Sequence, residues 1–336
     1  MDQTPLDATL VPADHISRVA QCRRIAARFA QAEGLPETSS SNAAIVASEL
    51  ATNLVKYGQR GVMHLAPMSD RGRAGVEILA IDSGPGISNV AESLRDGHST
   101  GSTSGTGLGA VRRLSHRFDI YSRPGQGTVI VSQIFMLQDP ASAPAFSLGL
   151  TMRPLAGETD CGDSWAVRFG QDWILLLVAD GLGHGLLAAE ASRAAAAAFC
   201  RSREELPVEL VQVMHAALRG TRGAALAVAR IEMAAGRVRF AGLGNISGKI
   251  ASPLKTYEAV SQNGTAGHEV RHVREFTYPW TDDSLMIMHS DGLSANWNLA
   301  SYPGLLQCHE SLISGVLYRD LGRDRDDACI IVGRKR

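Results

Sequence analysis

The sequence predicts an α+β protein of two domains, and three observations carry that prediction. Its 336 residues exceed the usual span of one compact domain. Residues 139–145, DPASAPA, are small and hold two prolines; they follow a strand-like run at 128–137 and precede a new set of strands. Helical and strand patterns mix on both sides without a regular βαβ alternation. The expected division is a first domain at 1–138, a linker at 139–146 and a second domain at 147–336. No internal repeat is visible.

Before the linker, residues 15–33 carry helical spacing, with Gly34 and Pro36 to stop it. Residues 41–57 read as a second helix, with Ser39, Ser40 or Ser41 available as its cap. Residues 76–81 form a strand and 109–117 a helix, followed by paired strands at 118–122 and 128–135 around the turn 123–127. This is an α/β sandwich. After the linker, 165–169 and 173–179 read as adjacent strands, and 186–201 and 208–219 as helices, the first alanine-rich and closely packed. Further strands are expected at 224–232, 237–242, 284–290 and 328–333. Many strands with two central helices imply a β-sandwich flanked by helices.

Composition narrows the function classes. The net charge is −1 with no long basic run, which excludes a nucleic-acid footprint. The cysteines, Cys22, Cys161, Cys200, Cys308 and Cys329, lack paired spacing, which argues against a disulfide framework or structural zinc and suits a reducing cytosol. Asp2, Asp7 and Asp14 stand where a signal peptide needs basic and then apolar residues. The apolar stretch 186–200 is interrupted by Glu190 and Arg193, so no membrane span is expected. The expected localisation is cytoplasmic.

Two groups of motifs carry chemistry. In the first, Glu49 and Asn53 are four residues apart and share a helix face beside the stripe Val46, Leu50, Tyr57. Unpaired, they would be costly to bury, and rim positions with ordinary caps or salt bridges are the plain alternative. Asp82 ends an apolar strand and precedes Ser-Gly-Pro-Gly. Glycines at 84 and 86 allow close approach to a flat ligand, and an aspartate can accept from an exocyclic amine such as that of adenine. Residues 101–109, GSTSGTGLG, lead into a helix, whose N-terminal amides form a phosphate site. Each motif alone suits an ordinary turn or loop; the three in this order point to a nucleotide pocket.

In the second group, LLLVADG and MIMHSDG are apolar strands ending in Asp-Gly, at Asp180 and Asp291. Asp326 and Asp327 precede the apolar strand ACIIVG, and Asp163 opens WAVRF. Each acid could merely cap a turn. Together, convergent carboxylates need divalent cations, and hard oxygen donors select Mg²⁺ or Mn²⁺. Two such ions can activate a water for attack on phosphorus. His184 and His289 lack metal-type pair spacing and read as packing or supporting residues. Cys161 lacks the P-loop arrangement of a thiol phosphatase.

Residues 41–135 resemble the GHKL (Bergerat-fold) ATPase/kinase family, in its branch of small serine kinases of bacterial partner switching, the RsbT type. ELATNLVKYG, GVEILAIDSGPGI, LRDGHST and GTGLGAVRRL followed by PGQGT carry the likeness. The resemblance implies ATP and Mg²⁺ as cofactors, with Asn53 on the metal and Glu49 as the base for the acceptor hydroxyl. Asp82 would bind adenine, with Gly84, Gly86 and Thr128 shaping the pocket. Gly105, Gly107 and Gly109 would hold the triphosphate, assisted by Lys56. A histidine kinase of this fold needs a preceding helical hairpin with a phosphoacceptor histidine, and His15 is better read as a surface residue.

Residues 150–336 resemble the metal-dependent type 2C (PPM) phosphatases, in the SpoIIE and RsbX branch. ETDCGDS, VADGLGHGLLAAEAS, AGLGNI, SDG and DDACIIV carry this likeness. It implies Asp180 and the Gly181 carbonyl as bridging ligands of two or more Mn²⁺ or Mg²⁺ ions, with Asp180 and Asp291 catalytic. By the same resemblance Asp291 and Asp326 would complete the site, and Asp163 would serve a further metal or its waters. Ala328 stands where many relatives carry threonine or another small polar residue, and the adjacent acids leave Asp326 and Asp327 both open as the ligand.

The two resemblances together imply a bifunctional protein serine/threonine kinase and phosphatase acting on a STAS-domain antagonist in a stressosome-like pathway. The alternative is an anti-sigma factor whose front domain sequesters a sigma factor, with the phosphatase as its release; a downstream phosphatase is a further candidate partner. In a third reading one site is silent and regulates the other. The helix at 15–33 is suited either to a homodimer or to covering its own sheet.

Overall fold

The computed structural model describes residues 8–70, 73–95, 107–136, 146–268, 270 and 272–336. Among the described residues the chain separates into two compact units, one comprising 8–136 with 307–319 and the other 146–306 with 320–336.

The N-terminal unit begins with β1 (Thr9–Pro12), α1 (Ser17–Ala32) and α2 (Glu37–Tyr57), followed by β2 (Val62–Asp70) and β3 (Arg73–Asp82). Then come a short α3 (Val90–Ser93), α4 (Gly107–Leu114), β4 (Arg117–Ser122) and β5 (Thr128–Phe135). The strands form an antiparallel sheet in the order β1-β2-β3-β5-β4. Strand alternation sends Val76, Ile78 and Ala80 of β3 to one face, where they pack with Ala47, Leu50 and Leu54 of α2 and with Ile25 and Phe29 of α1. Helix α2 starts at Glu37, four residues before its expected start at 41, and its N-cap is Pro36 without a side-chain bond. The serines expected as caps lie inside its first turns, and Ser40 Oγ reaches back to the Leu35 carbonyl. The helix expected at 109–117 runs instead from Gly107 to Leu114, and Arg117 opens β4. Among the described residues β1 pairs with residues 62–65 of β2, and Pro67 lies past the end of that ladder.

The C-terminal unit opens with β6 (Phe146–Arg153), β7 (Asp163–Phe169) and β8 (Trp173–Gly181), then α5 (Leu186–Arg201) and α6 (Pro207–Ala217). It continues with β9 (Ala224–Glu232), β10 (Arg237–Leu243), β11 (Ser247–Ala251), β12 (Thr256–Ala259), β13 (Phe276–Pro279) and β14 (Leu285–His289). Helix α7 (Glu310–Leu321) and β15 (Ala328–Lys335) end the chain, and most of α7 belongs to the N-terminal unit. Two antiparallel sheets, β13-β10-β9-β8-β7 and β12-β11-β14-β15-β6, face each other. Trp165, Leu176, Phe240, Ile250, Met288 and Ile331 form the core between them. On the outer face of the first sheet, Leu175, Leu177 and Leu226 pack against Ala191, Ala195 and Phe199 of α5 and Leu210 of α6. The alanines bring α5 close to the sheet, as the composition of 186–201 predicts. Among the described residues no helix is long and apolar enough to cross a membrane.

Candidate functional site

In the N-terminal unit α2 organises the nucleotide motifs. Glu49 and Asn53 are half-buried in the middle of the helix. Gly107, at the start of α4, faces them closely: a Cβ there would lie 3.4 Å from Glu49 Oε2 and 3.9 Å from Asn53 Oδ1. Among the described residues the first amides of α4 have no intrahelical partners, so this end of the helix can take an anion. At the end of α2, Gly58 abuts Asp82, since a Cβ on it would stand 3.2 Å from Asp82 Cβ. Five residues of helix separate Asn53 from Gly58, about 7.5 Å of rise. One helix therefore serves both the acid–amide pair and the aspartate.

Asp82, the last residue of β3, is buried and pairs in register with Thr128 of β5. Gly84 donates its N–H to Asp82 Oδ1 at 2.6 Å. Burial pushes the Asp82 carboxyl up, opposed by the Gly84 amide, then by the charge of Arg319 and the Thr128 amide. Thr128 Oγ1 lies 2.8 Å from Ser122 Oγ, which in turn accepts from Ile87 N–H. Gly86 has φ +72° and sits against the Arg123 carbonyl, leaving no room for a side chain. Asp82, Gly84, Gly86 and Thr128 thus gather around one strand end. Lys56 is exposed on the last turn of α2, and Gly109 is buried within α4. Gly105 and LRDGHST beyond Arg95 lie outside the described residues.

In the C-terminal unit the acids meet at strand ends. Asp163 and Asp180 are cross-strand neighbours on β7 and β8. Asp291 follows β14, and Asp326 and Asp327 precede β15, the strand paired with β14. Ser290 Oγ donates to Asp163 Oδ2 at 2.6 Å, whereas Asp163 Oδ1 is buried with no hydrogen-bond partner among the described residues. Asn245 Nδ2 donates to Asp291 Oδ2 at 2.6 Å. Burial, then the charges of Asp291, Asp326 and Asp327, raise Asp180 to about 8. Burial and the neighbouring Asp180 raise Asp163 as well. Burial and Asp326 raise Asp291, with Arg323 and Asn245 opposing. The cost of ionising such a group of acids is one that hard cations can relieve. Among the described residues no three donors already stand in a closed ligand cluster. They are gathered in pairs, and the orphaned Asp163 oxygen fits a cation or its water.

The adjacent acids differ in environment. Asp327 is buried, and its Oδ1 accepts the Leu155 N–H at 2.8 Å. Asp326 is half-buried and its Oδ1 accepts the Asp327 N–H. The glycine of each Asp-Gly pair is sterically required: a Cβ at Gly181 would meet the Ala188 carbonyl at 2.0 Å, and one at Gly292 the Asp327 carbonyl at 1.8 Å. Both acids are presented by strands whose next residue touches other backbone.

His289 is buried and bonded on both nitrogens. Trp297 Nε1 can only donate, so Nε2 accepts it at 3.2 Å and Nδ1–H donates to the Ser290 carbonyl at 2.8 Å. Burial lowers its pKa to about 4, and it packs in a neutral tautomer. His184 is exposed and its Nδ1 lies 2.8 Å from Glu158 Oε1. The reading of the residues passed over Asn245 and Ser290, although both lie in the motifs AGLGNI and SDG. It also passed over Arg153, whose guanidinium donates to the Arg323 and Asp326 carbonyls.

Comparison with known proteins fits this geometry. A profile of the family described as "Histidine kinase-like ATPase domain" matches residues 11–133, and one described as "Stage II sporulation protein E (SpoIIE)" matches residues 170–335. Serine/threonine-protein kinase RsbT of Bacillus subtilis (strain 168) is 33% identical over 112 residues, covering 33% of this chain and 84% of RsbT. Phosphoserine phosphatase RsbX of the same organism is 25% identical over 139 residues, covering 41% of this chain and 70% of RsbX. A crystal structure of RsbX in complex with magnesium shares the fold, with TM-score 0.51 and 23% identity over 57% of this chain and 96% of that one. A structure from work on the bacterial stressosome gives TM-score 0.52 and 30% identity, covering 56% of this chain and 99% of that one. The chain therefore belongs to two families in series, the RsbT-type serine/threonine kinases of the histidine-kinase-like ATPase fold in front and the SpoIIE-type PPM phosphatases behind.

Proposed function

We propose that this chain both phosphorylates and dephosphorylates a STAS-domain antagonist protein in a partner-switching pathway. The observation that carries the reading is the gathering, in one chain, of Glu49, Asn53 and Gly107 at one site and Asp163, Asp180 and Asp291 at another.

At the front site Asp82 accepts from the adenine amine, in a pocket bounded by Gly84, Gly86 and Thr128. The amides at the start of α4, with Gly105, Gly107 and Gly109, hold the triphosphate, and Lys56 offers a positive charge at the rim. Asn53 would hold Mg²⁺ beside the triphosphate. Glu49 would take the proton of the serine or threonine hydroxyl as its oxygen bonds to the γ-phosphorus of ATP and the β–γ bridging bond breaks to release ADP, so the site works mainly by positioning. At the rear site Asp180, the Gly181 carbonyl, Asp291 and Asp326 would hold Mn²⁺ or Mg²⁺, with Asp163 serving a further ion or its waters. Asp326, the half-buried acid of the adjacent pair, is taken as the ligand, and the buried Asp327 as its neighbour. Bound divalent ions would lower the pKa of a water and neutralise the phosphate. Asn245 and Ser290 orient Asp291 and Asp163 toward that charge. Joining both sites to one chain gives each the same substrate at high effective concentration, on the order of millimolar for a short tether. The linker expected at 139–146 is that tether in this reading, although 139–145 lie outside the described residues and Phe146 opens β6; the cytoplasm is the compartment this role needs.

The test is transfer of labelled phosphate from ATP to a co-encoded STAS protein, then its release with Mn²⁺. Asn53→Ala abolishes transfer but not release; Asp180→Ala abolishes release but not transfer. Retention of both activities in both variants refutes the assignment. Capture of a sigma factor by the full chain, with no transfer to the STAS protein, would favour the anti-sigma reading.

A further inference from the structure

After Asp180 and Gly181, β8 gives way to a short loop, 182–185, whose course is set by backbone. Leu182 N–H donates to the Gly223 carbonyl at 3.0 Å, and Gly183 and Gly185 take φ of +89° and +72°. Ala189 N–H donates to the Gly185 carbonyl at 3.0 Å, so the loop leads straight into α5. Leu182, Leu186 and Leu187 stand 44%, 57% and 49% exposed along it. Among the described residues they are three of the eight large apolar side chains so exposed, and all lie within seven residues of Asp180. Packing of α5 on its sheet does not use them, since Ala191, Ala195 and Phe199 make that contact. A lone surface leucine is ordinary, but three grouped beside a cleft mark a surface that binds another chain.

A cation stands over the same loop. A Cβ at Gly183 would lie 3.0 Å from Arg222 Nη1. The turn after α6 presents this arginine: Thr221 Oγ1 donates to the Leu218 carbonyl at 2.7 Å and accepts the Gly223 N–H at 3.0 Å. His268 Nε2 lies 2.8 Å from the Arg222 carbonyl and steadies the turn from the other side. Other charges near the loop are already matched. His184 Nδ1 is 2.8 Å from Glu158 Oε1, and Arg193 Nη2 donates to Asp160 Oδ1 at 2.8 Å. Arg222 is exposed, and among the described residues no carboxylate pairs with its guanidinium. We propose that Leu182, Leu186, Leu187 and Arg222 form a docking rim for the phosphorylated protein segment, seating an apolar side chain beside the phosphoserine and an acidic one at Arg222. The inference rests on the phosphatase reading given above. Two features select this occupant. The rim follows directly on Asp180 and Gly181, so a chain whose phosphate reaches them runs across it. The leucines give an apolar side chain area to cover, and the unmatched guanidinium favours a carboxylate over an ammonium group. A small phosphate ester has no side chain to place there, so the rim acts on protein substrates alone.

The experiment uses the full chain at saturating Mn²⁺. Phosphate release is followed from p-nitrophenyl phosphate and from phosphoserine peptides differing only in their flanks, leucine against glycine and glutamate against lysine. Leucine and glutamate each raise kcat/KM by about tenfold. Leu186→Ser combined with Leu187→Ser removes the preference for leucine and keeps that for glutamate. Arg222→Glu turns the preference for glutamate into one for lysine and keeps that for leucine. Both variants hydrolyse p-nitrophenyl phosphate as the parent does, and their altered side chains are exposed, so folding does not depend on them. Peptides released alike whatever their flanks, or preferences unchanged in the variants, overturn the docking rim alone. A native mass that halves in the double leucine variant, with peptide preferences unchanged, also overturns it and gives the leucines to a second copy of the chain. A parent that releases no phosphate from any of these substrates overturns the phosphatase reading and the rim with it.

Discussion

Asp163 shows how a single side chain is prepared for a cation. One oxygen is held by Ser290 Oγ and the other is buried without a partner among the described residues. Ser290→Ala strips the remaining bond and costs about 1–3 kcal/mol of stability in urea unfolding without metal. Saturating Mn²⁺ recovers part of that loss. No loss in the variant would mean that the Ser290 bond is not what steadies the acid. His64 is the opposite case, a buried imidazole with neither nitrogen bonded among the described residues and a pKa lowered to about 4. Because its folded pKa is depressed, the unfolded chain binds the extra proton. Its stabilising share is present above about pH 6.5 and is lost as pH falls toward 4. His64→Leu is therefore at least as stable as the parent at pH 7, and its advantage widens on acidification, as melting curves at several pH values would reveal.

At the scale of elements, the Asp-Gly strand ends carry the rear site. Gly181→Ala would push a methyl into the Ala188 carbonyl, and Gly292→Ala one into that of Asp327. Overpacking of this kind costs about 1–3 kcal/mol or more, because backbone must move. Each variant should lose metal-dependent hydrolysis while retaining nucleotide binding by the N-terminal unit, measured side by side. Helices α1, α2, α5 and α6 and most central strands were legible from periodicity. Helix α7 was not, because Glu310 through Tyr318 are all buried and no polar face alternates with an apolar one. Strands β1, β12 and β13 are four residues long, too short for a pattern to register.

For the whole molecule, the acidic cluster makes stability depend on metal and pH together. Asp180 has a folded pKa of about 8 without metal, far above its ordinary 3.8. The folded state then holds a proton that the unfolded chain releases. That contribution is complete below about pH 4 and disappears as pH rises to about 8. Metal-stripped protein should melt at falling temperature from pH 5 to pH 8, and Mg²⁺ or Mn²⁺ should reverse the trend by binding the ionised acids. A metal-free melting temperature that rises over that interval would contradict the assignment.

The α+β class and the two families are legible in the amino-acid sequence, because their motifs are contiguous strings whose turn and strand chemistry is local. The sequence also named the strand-end acids, since an apolar strand closing in Asp-Gly is readable without neighbours. Only the tertiary structure separated Asp327, bonded to the Leu155 amide, from Asp326, because identical adjacent residues differ only in what folds against them. Tertiary structure alone likewise assigned α7 to the N-terminal sheet, since its partners Glu77 and Asp119 lie about 190 to 230 residues away along the chain.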